Sequence, residues 1–222
     1  MNLILSRFEQ TVRAMPDKLA VACEEERYTF AELKALAARL GKAAAGEPVQ
    51  GRAVGVLVHR GVASIAEFFA AVYAGGFYVP LDPDMPTHKL RTILEDAEIR
   101  LLFGTEEDRS RLEALGFSGR FLTPADAAAE EIEAPEAGED TPLYMVYTSG
   151  STGRPKGVLK SQGAVISFID AFAKTFDLGP EEILGNCRNA DDLSGFALFG
   201  LNLRDRRIGA GPCVFFRRVF DL

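Results

Sequence analysis

Histidine is scarce: His59 and His88 are the only two in 222 residues. A His-rich metal centre or a Ser/His/Asp triad would have to be built from one of them, which counts against both. Cysteine is scarce as well. Cys23, Cys187 and Cys213 are odd in number, scattered and without a CxxC. They read as reduced thiols of a cytoplasmic protein, not as a disulfide framework or a metal site. No run reaches the ~20 apolar residues of a membrane span. The most apolar stretch, 66–80, is broken by Glu67 and by Gly75-Gly76. The opening MNLILSRFEQ lacks a basic start, a long apolar stretch and a small-residue cleavage site, so no signal peptide is expected. Basic charge is in deficit too. With 25 Lys and Arg against 32 Asp and Glu, the net charge is −7, which argues against nucleic acid as the main partner.

What is present is globular. Hydrophobic residues make up 47% and charged residues 26%, enough apolar surface to offset the entropy of ordering. The length suits one large domain or two small ones. Residues 5–15 read as a helix with Phe8, Val12 and Met15 on one face. A strand is expected at 19–23, then a turn at 24–26. Thr29 and Glu32 have the spacing of a capping box, opening a helix that carries Leu33, Leu36, Ala37 and Leu40.

An α/β alternation follows. Residues 53–58, AVGVLV, form an apolar run without alternation, as in a strand buried on both faces. Helix 62–74, strand 77–81, helix 87–97, strand 100–103, helix 106–115 and strand 120–122 continue the pattern. This predicts an α/β fold with a mostly parallel sheet flanked by helices. Residues 124–142 differ in kind. They hold seven acidic residues and three prolines and read as an acidic linker or loop, inside one domain or between two lobes.

After it, LYMVY at 143–147 is a buried-strand candidate that runs into TSGSTGRPKG at 148–157. A helix is expected from 161 to about 176. Three glycines, four hydroxyls and Lys156 stand in ten residues. Glycines let a ligand approach the backbone amides, and such a run of amides makes an anion nest that suits phosphate. The rival reading is a Gly/Ser hairpin without a ligand, and for Lys156 a solvated loop lysine. The order is not that of a P-loop, because Lys156 precedes Gly157 rather than Ser or Thr.

YTSGSTGRPKG behind an apolar strand resembles the phosphate-binding signature of the adenylate-forming (AMP-binding) enzymes. Two further matches stand in the same order. Residues 28–33, YTFAEL, resemble the first core motif of peptide-synthetase adenylation domains. Residues 73–83, YAGGFYVPLDP, resemble the second, and point to the amino-acid-activating branch, including D-alanine–carrier-protein ligases. The resemblance implies ATP and Mg²⁺ as cofactors and an amino acid or other small carboxylate as substrate. The carboxylate attacks the α-phosphorus to give an acyl adenylate, which passes to a phosphopantetheine thiol on a carrier protein. It implies that Thr148, Ser149, Gly150, Ser151, Thr152 and Gly153 wrap the β- and γ-phosphates, with Lys156 as a supporting charge.

The chain also departs from the pattern. Family members are more than twice as long, so the adenine, ribose and catalytic-lysine elements are expected to lie beyond it. Gln162 stands where many relatives have His. Asp192 falls at the position that the resemblance assigns to the substrate amino group. Asp191 replaces the usual Phe there, and an exposed acid in a loop is the rival reading. Residues 187–222 read as a divergent tail, with 187 to about 208 expected to be frame-disturbed and the final VFFRRVFDL an apolar strand left bare at an edge. His59 follows a strand and reads as a loop residue, His88 as a solvated one. The arginines at 204, 206, 207, 217 and 218 read as charged surface. The expectation is a partial, truncated N-terminal adenylation domain over 1–222 with little or no turnover alone. The alternatives are a non-catalytic split-gene or interaction module completed by a partner chain, and an unrelated small nucleotide-binding protein.

Overall fold

A computed structural model describes residues 3–23, 26–59, 61–149, 155–175, 183–186 and 214–217. Helix α1 (Leu3–Ala14) leads to strands β1 (Leu19–Cys23) and β2 (Glu26–Thr29). Then come α2 (Phe30–Ala44), β3 (Ala53–Leu57), α3 (Ala63–Tyr73), β4 (Phe77–Leu81), α4 (Thr87–Asp96) and β5 (Leu101–Phe103). A 3-10 turn (Glu106–Asp108) opens α5 (Arg109–Leu115), and β6 (Arg120–Leu122) follows. The remaining elements are β7 (Pro142–Ser149), β8 (Pro155–Ser161), α6 (Gln162–Thr175), β9 (Ile183–Asn186) and β10 (Val214–Arg217).

The main sheet has the order β6-β5-β3-β4-β7-β8. Strands β3 to β7 run parallel to their neighbours, and β8 returns antiparallel to β7. The run AVGVL feeds two cores because its side chains alternate between two covered faces. Val54 and Val56 join Phe68, Phe69 and Tyr78 under α1, α2 and α3. Ala53 and Leu57 join Val79, Leu81 and Leu102 against α4 and α5. Thr29 and Glu32 form the expected capping box: Thr29 Oγ1 accepts from Glu32 N at 3.2 Å, and Thr29 N donates to Glu32 Oε2 at 2.8 Å. Helices α2 and α3 pack closely at Gly41, where a Cβ would stand 2.6 Å from Tyr73 Cβ.

A second, four-stranded antiparallel sheet, β2-β1-β10-β9, was not expected from the sequence. β10 pairs with both β1 and β9 there, so Val214–Arg217 lies inside a sheet and not at a bare edge. Residues 187–213, which contain the stretch expected to be frame-disturbed, lie outside the described residues.

The acidic segment after β6 runs along α2. Ala128 N donates to Arg39 O at 3.1 Å and Ile132 N to Ala38 O at 3.3 Å. Lys34 pairs with Glu131, and Ile132 packs on the first core. Among the described residues no helix is long and apolar enough to cross a membrane.

Candidate functional site

β7 meets β4 in one registered pair among the described residues, Tyr78 with Tyr144, and the two rings stack 5.5 Å apart. Beyond that pair β7 and β8 continue together, from Met145 opposite Leu159 to Ser149 opposite Pro155. β4 ends at Leu81, so the last residues of β7 leave the C-terminal edge of the parallel strands as a two-stranded ribbon. Residues 156–160 of β8 are exposed throughout. A free ribbon of two strands is marginal in water, and this one is anchored on its flank. Tyr147 Oη donates to Asp96 Oδ2 at 2.5 Å, and Met145 and Tyr147 pack on the second core.

The ribbon brings two of the expected site residues face to face. Thr148 lies opposite Lys156, both exposed, and its Oγ1 donates to Lys156 O at 3.4 Å. Opposed residues of an antiparallel pair share a face, so the Thr148 and Lys156 side chains leave the ribbon on one side near its tip. Ser149 ends β7. Gly150, Ser151, Thr152 and Gly153 lie outside the described residues, as does Asp192. The sequence predicts a loop over 148–157. The strands instead extend to Ser149 and from Pro155, because ladder pairing with β7 organises residues that look like loop by composition.

Elsewhere along the same edge, the loop after β3 leads to α3 on one face, and the turn after β5 leads to α5 on the other. Open α/β sheets take ligands in the crevice where such connections part. Here that crevice is bridged. His59 Nε2 lies 2.7 Å from Asp108 Oδ2, which also accepts from Thr105 N at 2.8 Å and Thr105 Oγ1 at 3.1 Å. The bond to Asp108 lifts His59 above its usual range against the pull of burial. Glu67 of α3 is 1% exposed, and among the described residues its Oε2 has no hydrogen-bond partner. Burial, and then the charge of Asp108, push its carboxyl well above the ordinary carboxylate range. His59 therefore anchors one loop to another, whereas the sequence marks it as a simple loop residue. Asp108 escapes a reading by pattern, although Thr105-x-x-Asp108 has the spacing of a cap.

A two-stranded ribbon with an exposed threonine and lysine leaves a parallel α/β sheet, and the profile of the AMP-binding enzyme family matches residues 8–190. The chain belongs to the AMP-binding enzyme family. It is 35% identical over 202 residues to the AMB antimetabolite synthetase AmbB of Pseudomonas aeruginosa, covering 87% of this chain and 16% of that protein. It is 27% identical over 183 residues to tyrocidine synthase 1 of Brevibacillus parabrevis, covering 80% of this chain and 17% of that protein. The nonribosomal peptide synthetase FmoA3, in its α-methyl-L-serine-AMP bound form, superposes with a TM-score of 0.79 at 28% identity, over 90% of this chain and 22% of that one. Apo MatB from Rhodopseudomonas palustris gives a TM-score of 0.70 at 25% identity, over 82% and 39%. The chain thus spans less than a fifth of the length of these two curated relatives.

As a member of the AMP-binding enzyme family, the chain has the flanked, mostly parallel sheet that its sequence predicts. Among the described residues no group of three or more His, Cys, Asp and Glu side chains gathers to hold a metal. Hydroxyl oxygens are hard donors of the type Mg²⁺ accepts, and Thr148 presents one at the exposed end of the ribbon.

Proposed function

We propose that this chain supplies the triphosphate-binding part of a site that activates an amino acid, or another small carboxylate, with ATP. The observation that carries the reading is the ribbon tip. Thr148 and Lys156 stand opposed and exposed beyond the sheet edge, on either side of a glycine-containing sequence, 150–154, of the composition that suits phosphate binding. In this reading Thr148, Ser149, Gly150, Ser151, Thr152 and Gly153 hold the β- and γ-phosphates, and Lys156 offsets their charge. Mg²⁺ bound with the nucleotide would neutralise phosphate charge, with the Thr148 hydroxyl a suitable donor. The substrate carboxylate oxygen bonds to the α-phosphorus as the bond from that phosphorus to the bridging oxygen breaks, and pyrophosphate leaves with the electron pair. A carrier-borne thiol then displaces AMP from the acyl carbon. Donors already fixed where charge develops stabilise such a step without reorganising.

The 222 residues alone are expected to bind nucleotide with little or no turnover. One observation favours the second reading, a module completed by another chain. Val158 and Leu159, on opposite faces of the edge strand β8, and Phe168 on α6 are 38%, 49% and 43% exposed, and an edge strand with exposed apolar residues suits a protein partner.

Titration calorimetry with ATP and Mg²⁺ tests the first reading. Lys156→Ala is expected to weaken binding about tenfold, the effect of one charge-assisted bond, and Gly153→Ala to weaken it by crowding the turn. Unchanged affinity in both variants sinks the assignment. Amino-acid-dependent ATP–pyrophosphate exchange by the chain alone would show that it needs no partner.

A further inference from the structure

Gln162 directly follows β8 and begins α6, and it is 1% exposed. Buried amide groups take partners, and those of Gln162 come from two separate parts of the chain. Its backbone N–H donates to the carbonyl of Thr141, just ahead of β7, at 2.9 Å, and the next N–H, of Gly163, donates to Glu139 O at 2.9 Å. Its side-chain Oε1 accepts the N–H of Ile4 at 3.2 Å. That N–H lies in the first turn of α1, where amides lack helical partners. A single residue therefore closes the base of the β7–β8 hairpin and ties that base to the N-terminal helix. Arg7 of α1 reinforces the tie, reaching Asp170 Oδ1 and Oδ2 on α6 at 2.5 and 2.9 Å.

The leverage of this position is large. The seven residues of β8, at ~3.3 Å each, make an arm of about 23 Å. Among the described residues the ribbon registers with β4 at Tyr144 and is held further out on the β7 side by Tyr147, while β8 is exposed from Lys156 to Lys160. A tilt of about 10° at Gln162 would carry the tip about 4 Å, more than the ~3 Å reach of a hydrogen bond.

We propose that Gln162 is a positioning residue of the phosphate hairpin: through Ile4 it sets the angle at which β7 and β8 present Thr148 and Lys156. The proposal rests on reading that hairpin as the triphosphate site. Glutamine suits the role because its oxygen must accept from an amide in a buried place without bringing a charge there.

The test uses the full chain and two readouts: hydrogen exchange over 142–149 and 155–161 without nucleotide, and affinity for ATP with Mg²⁺. Gln162→Met keeps shape and removes the acceptor. It is expected to speed exchange in both strands about tenfold and to weaken ATP binding by a similar factor, the effect of one lost buried bond. Gln162→Glu keeps an acceptor oxygen and is expected to restore most of both in acid solution, where the buried carboxyl is neutral, and less at neutral pH. Leu122→Ala, a buried position on the far edge strand β6, is the control for general destabilisation and should leave hairpin exchange near the wild-type pattern. Gln162→Asn, one methylene short of Ile4, gives the same reading should Gln162→Met not fold. Hairpin exchange in the Gln162 variants no faster than in Leu122→Ala overturns the proposal. A wild-type chain that binds no ATP sinks the triphosphate reading instead, and leaves exchange to judge Gln162.

Discussion

His59 and Asp108 share a 2.7 Å hydrogen bond that fastens the end of β3 to the turn after β5. Burial alone would raise the Asp108 carboxyl, but the bonds from His59 and Thr105 outweigh it and hold it below its ordinary 3.8. The same bond, helped by Glu107 and Asp84, lifts His59 above 6.5. The histidine's share of stability is full below pH 6.5 and fades as pH rises through its raised value; the aspartate's share is full above pH 3.8 and fades as pH falls through its lowered value. Asp108→Asn is expected to cost about 1–2 kcal/mol in mildly acid solution, and less as the solution becomes alkaline. Melting curves of both proteins from about pH 5 to pH 9 check this; a gap of constant size counts against the charged pair.

Glu67 works in the opposite sense. Its native carboxyl stays protonated well above 4.5, while the unfolded chain ionises at that value. The resulting penalty is absent at low pH and grows as pH rises past 4.5. Glu67→Gln should therefore stabilise the protein, by about 1–3 kcal/mol at neutral pH, and by less in acid. Denaturant titrations at two pH values measure the difference. A gain that shrinks toward alkaline pH would contradict a protonated Glu67.

Gly41 sets the spacing of α2 and α3. Alanine is favoured over glycine in a helix by about 1 kcal/mol, yet its Cβ would meet Tyr73 Cβ at 2.6 Å and Ala70 O at 3.1 Å. Overpacking of this kind costs about 1–3 kcal/mol, and part of the obstacle is backbone, so the clash should win. Gly41→Ala is expected to lower the urea midpoint. A raised midpoint would mean that the two helices part freely.

Tyr78 is fully buried, and among the described residues its Oη has no partner. Removing that oxygen keeps the ring contacts with Phe68 and Tyr144 and ends an unmet demand for a hydrogen bond. Tyr78→Phe should gain about 1 kcal/mol, read from thermal unfolding. A loss of that size would point to a partner for the hydroxyl.

Local chemistry made much of this legible in the sequence. The capping box of Thr29 and Glu32 needs four consecutive residues, and the AVGVL strand announces its two covered faces by having no polar alternation. β2 was hidden because ERYT has no strand period and follows what looks like a turn. β8 was hidden because PKGVLKS owes its strand form to β7. Thr148 and Lys156 could be picked out by spacing. The bond between His59 and Asp108 joins residues 49 positions apart, and Gln162 meets Ile4 across 158. Separations like these leave no periodic trace.

The smaller sheet has a consequence for synthesis. Cys23 of β1 faces Val214 of β10, so every residue between them has to leave the ribosome before those strands can meet. Until then β1 presents an open ladder, while the parallel strands between can already assemble from nearer neighbours. Closure of this sheet should be a late event in folding, and the early chain is the form most in need of a chaperone.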